Sequence, residues 1–248
     1  YPYACCDEKL TACLKQKKVC KVARRLRDDI CRRVSRNQAP KAIKDALSRR
    51  ARSMAAVGNK ADIDLAGLQP AGDAKAPVTV VAYACTRCPF CSKVLPMLHR
   101  MVVSGGLKGR ARLYFKTFPI RGHAGSAQGG LALLAAAKAG NFWPYMLKLY
   151  AEFDNYAPEK LPQWAADVKL DKAAFLSAMK DKATRAALVS AKKEGLRNGV
   201  KATPTLFING RKYHGDLDPE TLLDVLDEET DRIKGEAFCD GAAKGLFQ

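Results

Sequence analysis

From residue 78 to 83 the chain sets β-branched and aromatic side chains at nearly every position, VTVVAY, which predicts a buried strand. The period then changes. Val94, Leu95, Leu98, Met101 and Val102 recur on one face of a helix covering residues 93–101. Pro89 suits a first helical position, where its missing N–H costs nothing and its φ is already helical, so the helix starts at Cys88, with a kink expected at Pro96. A second alternating run, RLYFKTF, puts Leu113, Phe115 and Phe118 on a second strand. Residues 124–198 read as mostly helical, through SAQGGLALLAAAKAG, FWPYMLKLYAEF, LPQWAADV and DKAAFLSAMKDKATRAALVSAKKEGL. Strands return in TLFING and RKYHG, joined by a hairpin turn at Asn209 and Gly210. A last helix, 219–233, follows the cap residue Asp218.

Upstream the pattern is helical throughout. Cys6, Leu10, Cys13 and Leu14 share the apolar face of a short first helix, and Val19, Val22, Leu26, Ile30 and Val34 make the stripe of a second. Pro40 opens a third, which turns Ile43, Ala46, Leu47 and Met54 inward. Residues 1–57 thus form a cysteine-rich three-helix head, too small to be stable without staples. Residues 58–76, rich in Gly, Ala, Asp and Pro, read as a linker, residues 77–236 as the main domain and 237–248 as a tail. If the first two helices are antiparallel, Cys13 faces Cys20 and pairs with it. Cys31, about 16 Å further along the second helix, then reaches Cys5 or Cys6, and the unused member of that pair meets Cys239.

Nine cysteines in 248 residues are many for a reducing cytosol and point to an oxidising compartment. The chain begins at Tyr1 and has no apolar run approaching the roughly 18 residues of a membrane helix, so it reads as a processed, soluble, exported or periplasmic protein. The net charge of +18 is concentrated in residues 1–60, with 17 basic against 5 acidic residues. The bland account of that excess is a solvated helix face; the functional one is docking to an acidic protein or an anionic membrane surface. Nucleic acid is disfavoured, because the basic residues alternate with an apolar stripe instead of base-stacking aromatics.

Candidate chemistry lies in CTRCPFC, residues 85–91, two overlapping C-x-x-C motifs that share Cys88. Cys88 sits where unpaired N–H groups and the macrodipole favour thiolate, and Cys91, one turn on, can close a disulfide with it. Cys85 lies in the strand-to-helix turn as an odd thiol. A zinc site would need a second C-x-x-C or a His pair, and His99, His123 and His214 are scattered, so no metal or other cofactor is expected.

The order of strand, C-x-x-C helix, strand, helical segment, hairpin and final helix resembles the α/β thioredoxin fold with an inserted helical domain, at about 122–198, found in DsbA-like thiol-disulfide oxidoreductases. APVTVVAYACTRCPFC, AGNFWPYMLKLY and Ala202-Thr203-Pro204-Thr205 carry the resemblance. It implies Cys88 and Cys91 as catalytic residues, and Pro89, Phe90, Thr203 and a cis Pro204 as substrate-binding ones. It further implies disulfide exchange, as an oxidase, with unfolded or partly folded exported proteins, and a membrane-bound redox partner that resets the pair. The family's buried acid six residues before the nucleophile is replaced here by Ala82. The head, CCDEKLTACLKQKKVCKVARRLRDDICRRV followed by AIKDALSRR, is similar to CcmH-type cytochrome c maturation proteins, which implies an alternative role in reducing or docking apocytochromes. Cys5, Cys6, Cys13, Cys20, Cys31 and Cys239 are the expected structural disulfide cysteines.

Overall fold

The computed structural model describes residues 6, 8–17, 21–52 and 59–234. Cys5, Cys20, Cys239, Val19, Met54 and the tail therefore lie outside the described residues, as does the side chain of Val22. The chain divides into two compact units, one of residues 1–59 and 213–248, the other of residues 60–212. Among the described residues no helix is long and apolar enough to cross a membrane.

The larger unit, the body, begins with β1 (Val78–Ala84), after the head helices α1 (Leu10–Lys15), α2 (Lys21–Ser35) and α3 (Pro40–Arg52). α4 (Pro89–Val103) carries the chain across to β2 (Ala111–Thr117), which pairs in parallel with β1. Five helices follow: α5 (Ser126–Lys138), α6 (Phe142–Ala151), α7 (Leu161–Asp167), α8 (Lys172–Lys180) and α9 (Lys182–Arg197). Asp171 and Asp181 cap the last two by accepting from Ala174 and Ala183 N–H groups. β3 (Thr205–Ile208) then returns antiparallel to β1, and a tight turn leads to β4 (Arg211–Lys212), giving the sheet order β2-β1-β3-β4. Asn209 and Gly210 both have positive φ, 50° and 78°, the geometry that twists a two-residue hairpin correctly. This is the thioredoxin-type mixed sheet with a helical insertion. Tyr83, Leu95, Leu98, Leu113, Phe118, Tyr145 and Phe207 are fully buried in it. Each such apolar side chain contributes about 1.5–3 kcal/mol of burial.

Residues 60–76, read above as a linker, are bonded along the body. The Ala61 N–H donates to the Gly210 carbonyl at 2.7 Å, and Ala71 exchanges two backbone hydrogen bonds with Leu113 on β2, at 2.8 and 3.0 Å. Between these ends Ala61, Ile63 and Leu65 pack on Val81, Tyr83, Phe118, Val200 and Phe207. A buried polar cluster fixes the strap. Glu194 accepts from the Tyr83 hydroxyl and from the Asp64 N–H and pairs with Lys116 Nζ at 2.9 Å, while Lys116 also donates to the Asp64 carbonyl.

In the smaller unit α1, α2 and α3 occur as expected and are joined by α10 (Pro219–Lys234), capped by Asp218. α2 ends at Asn37, whose φ of 54° places it left-handed, with Asn37 and Gln38 N–H groups satisfying the carbonyls of Val34 and Arg33. Two expectations need correction. Cys13 is bonded to Cys6, with a Cα separation of 5.9 Å, and not to Cys20. Seven residues of continuous helix would hold the two about 10.5 Å apart, but α1 starts only at Leu10, so Cys6 lies outside it and folds back. Cys31 is also disulfide-bonded, to a partner outside the described residues.

The second correction concerns the basic residues of α2, which are solvated only in part: Arg24 is exposed and Arg27 half-buried. Arg25, Arg32 and Arg33 are buried, and their guanidinium groups meet carboxylates of Asp29 and of α10. Arg25 pairs with Glu228 and Glu229, Arg32 with Asp227 at 3.0 Å, and Arg33 with Asp224 at 3.0 Å. Arg36 holds Asp227 and Asp231, both at 2.7 Å. The acidic partner of these four arginines is the chain's own last helix.

Candidate active site

Cys88 has extended backbone angles, φ −95° and ψ 123°, and stands as the N-cap of α4 directly before Pro89. The amides of Phe90 and Cys91 therefore act on its sulfur. Cys91, one turn further, is fully buried, and all three cysteines of the motif are free thiols. The Cys88 sulfur lies 3.2 Å from the carbonyl oxygen of Thr203, whose otherwise unpartnered hydroxyl also favours the charged sulfur. The hydrogen bond from Cys91, more than any other influence, pulls the Cys88 thiol down to about 5, against the opposing effect of burial. Burial pushes the Cys91 thiol far up, and the neighbouring Cys88 adds to that. At neutral pH the pair thus holds one proton, on Cys91. The Thr203-Pro204 peptide is cis, as the resemblance implied. Pro89 is exposed, and Phe90 presents 70% of its surface to solvent beside the reactive sulfur.

The helical insertion holds the turn before Cys88 residue by residue. The Tyr150 hydroxyl of α6 donates to the Cys85 carbonyl at 3.2 Å, and Thr86 Oγ1 donates to the Ser126 carbonyl of α5 at 3.2 Å. Arg87 donates to the Phe153 carbonyl at 2.6 Å, with its guanidinium 4.5 Å over the Phe153 ring and 4.4 Å over that of Tyr156. Gly129 permits the approach of α5, since a Cβ there would run into the Thr86 side chain. Two residues of this site escaped the sequence reading. His123 Nδ1 lies 3.3 Å from the Cys85 sulfur, and Tyr150 is buried against the motif. Tyr150 ends the FWPYMLKLY stripe and reads there as ordinary core; His123 has no periodic neighbour that would mark it.

Ala82 is fully buried at the position of the missing carboxylate. Glu194, the buried carboxylate of the body among the described residues, is engaged with Tyr83, Lys116 and Asp64. Cys6, Cys13 and Cys31 belong to the other compact unit. Among the described residues no group of three or more His, Cys, Asp or Glu side chains is placed to hold a metal ion.

A mixed sheet of this order, with a C-x-x-C pair at the N-terminus of its first crossover helix and a cis proline before the third strand, defines a thioredoxin-type redox fold. The chain belongs to the thioredoxin family, whose model matches residues 69–228. Its fold is similar to BdbD of Bacillus subtilis, with a TM-score of 0.61 and 20% identity over 69% of this chain and 97% of that one. Alpha-DsbA1 of Wolbachia pipientis gives 0.60 and 20% over 70% and 96%. In sequence it is 30% identical over 152 residues to Na(+)/H(+) antiporter NhaA 3 of Salinispora tropica, covering 61% of this chain and 23% of that one. The chain spans about a quarter of the length of the curated relatives it matches. The family match begins at residue 69 and does not extend to the head, whose resemblance to CcmH-type proteins it does not show.

Proposed function

We propose that this chain is a thiol-disulfide oxidoreductase that exchanges disulfides with protein substrates through Cys88 and Cys91 and works in the oxidising direction. The observation that carries the proposal is the opposite displacement of the two sulfurs, Cys88 down to about 5 and Cys91 far up. In the oxidised pair a substrate thiolate attacks the Cys88 sulfur, Cys91 leaves and takes a proton, and a mixed disulfide forms. A second substrate thiol then displaces Cys88, which departs as a stabilised thiolate, and the substrate disulfide is complete. A low-pKa leaving group speeds that release, and a stabilised reduced form makes the pair a stronger oxidant.

The Thr203 carbonyl lies 3.2 Å from the Cys88 sulfur, directly before Pro204, where an extended substrate chain would pair with the backbone. Pro89 and Phe90 offer apolar surface suited to unfolded or partly folded clients. Nine cysteines, two of them joined as Cys6–Cys13, fit an exported or periplasmic setting, in which a membrane-bound partner would reoxidise the pair.

The reduction potential of Cys88/Cys91 against glutathione tests the direction. A value above about −200 mV, toward the oxidising end of the thioredoxin-fold range, is expected. A value near −270 mV, that of a reductant, overturns the oxidising role. A pair that never equilibrates with glutathione overturns exchange altogether.

A further inference from the structure

Cys85 is buried and free, and the exchange described above makes no use of it. The Cys88 N–H donates to the Cys85 carbonyl at 3.2 Å, closing residues 85–88 into a turn. The ends of such a turn lie within about 7 Å at Cα, and disulfide-bonded cysteines usually stand about 4.4–6.8 Å apart there. Cys88 therefore has a cysteine three residues away on each side, one across the turn and one along the helix. The buried Tyr150 hydroxyl donates to the Cys85 carbonyl at 3.2 Å and holds this end of the turn.

The two flanking thiols differ in what surrounds their protons. Cys91 lacks the carboxylate that the family carries at position 82, which is alanine here, and Glu194 is engaged with Tyr83 and Lys116. Cys85 has an imidazole nitrogen 3.3 Å from its sulfur. Burial keeps Cys85 protonated at rest, and the charge on Cys88 adds to that effect. That charge disappears when Cys88 enters a mixed disulfide. One of the influences that hold the Cys85 proton is then gone, while burial remains, and the imidazole 3.3 Å from the sulfur is placed to accept that proton.

We propose that Cys85 is a second resolving cysteine, deprotonated by His123, which converts the Cys88 mixed disulfide into a Cys85–Cys88 disulfide. The inference rests on the exchange reading above. His123 takes the Cys85 proton, and the Cys85 thiolate attacks the Cys88 sulfur. The bond from Cys88 to substrate sulfur breaks, and the substrate leaves as a thiolate that regains the proton. Two thiol electrons pass to the substrate sulfur as one sulfur–sulfur bond replaces another, so no outside oxidant is required. Attack of Cys91 on Cys88 then expels Cys85 and restores the Cys88–Cys91 register. A client that stalls as a mixed disulfide is returned reduced by two routes instead of one.

The full chain with Cys91→Ala, treated with dithiobis(nitrobenzoate), tests this. Attack by Cys88 releases one coloured aryl thiolate and leaves the aryl group on Cys88. Attack by Cys85 releases a second, and peptide mapping then finds Cys85 joined to Cys88. Cys91→Ala with Cys85→Ala should stop after the first release and keep the adduct. His123→Gln in the Cys91→Ala chain should slow the second release on the order of tenfold or more. His123→Gln should also change the pH profile of that second release, which a merely structural histidine would not do. A persistent adduct in Cys91→Ala, after a first release at the native rate, overturns the inference and leaves the exchange reading standing. No first release from either variant overturns both.

Discussion

In the smaller unit α2 meets α10 through Arg25, Arg32, Arg33 and Arg36 against Asp224, Asp227, Glu228, Glu229 and Asp231. In the body α4 turns Val94, Leu95, Leu98 and Val102 into an apolar interior. Both arrangements bury a helix face, but they respond differently to damage. An apolar contact is non-directional and degrades gradually as methylenes are removed. A buried ion pair offsets its desolvation only while every partner is present, so it adds little net stability when whole and costs much when broken. The contrast extends to sulfur. Among the described residues of the smaller unit Cys6, Cys13 and Cys31 are all disulfide-bonded, whereas the body keeps three free thiols around one helix terminus.

The largest effect should come from the free thiols. Cys88→Ser should reduce exchange to the background of an unassisted thiol while both units keep their thermal transitions. With Cys88 present, iodoacetamide labelling should remain fast from neutral pH down to about 5 and fall only below it, while Cys91 stays unlabelled. The sign for stability follows. A thiol whose folded pKa is depressed stabilises the reduced fold fully above its unfolded pKa, near 8.5, and loses that contribution as pH falls through about 5. Labelling of Cys91 at the rate of Cys88 would remove the distinction between nucleophile and resolver.

Asp29→Ala comes next. Asp29 is buried and bonded to Arg32 at 2.7 Å and to Arg33 at 3.0 Å, so its loss takes one carboxylate from each of two buried guanidinium groups, which keep Asp227 and Asp224, and should cost the smaller unit about 3 kcal/mol. Urea unfolding followed by hydrogen exchange should show residues 21–35 and 219–234 opening while the labelling rate of Cys88 is kept. Uniform loss of protection in both units would mean that the two do not unfold separately. Replacing Cys6 and Cys13 together by Ala opens a small loop and should cost about 2 kcal/mol, again confined to the smaller unit by the same measurement. The smallest effect belongs to Gly129→Ala, which forces Thr86 away from α5 and should cost about 1 kcal/mol in the body. Because Thr86 lies in the turn that sets Cys88, its reactivity should shift as well; unchanged labelling would show that Arg87 and Tyr150 suffice to hold the turn.

The elements of the body could be read from the chain because their causes are local. The β-branched run VTVVAYA favours a buried strand, Pro89 suits the first position of a helix, and Asn209-Gly210 suits a two-residue hairpin. Those features also put a cysteine on a helix terminus, so the candidate nucleophile was legible before any coordinates. The same local reasoning misjudged Cys6, because a stripe of i, i+4, i+7 does not say where the helix starts.

What the sequence determined by itself is the order of strands and helices, the C-x-x-C pair at the start of α4, and the presence of a cysteine-stapled helical head. What only the tertiary structure decided are the relations between residues far apart in the chain. Arg32 finds Asp227 across 195 positions, His123 reaches Cys85 across 38 and Tyr150 reaches it across 65. Local periodicity reports which face of an element is apolar and carries no information about what that face, or the charged one opposite, will meet once the elements pack. The basic stripe of α2 therefore looked solvated until α10 was seen against it, and a thiol in a turn looked idle until an imidazole stood beside it.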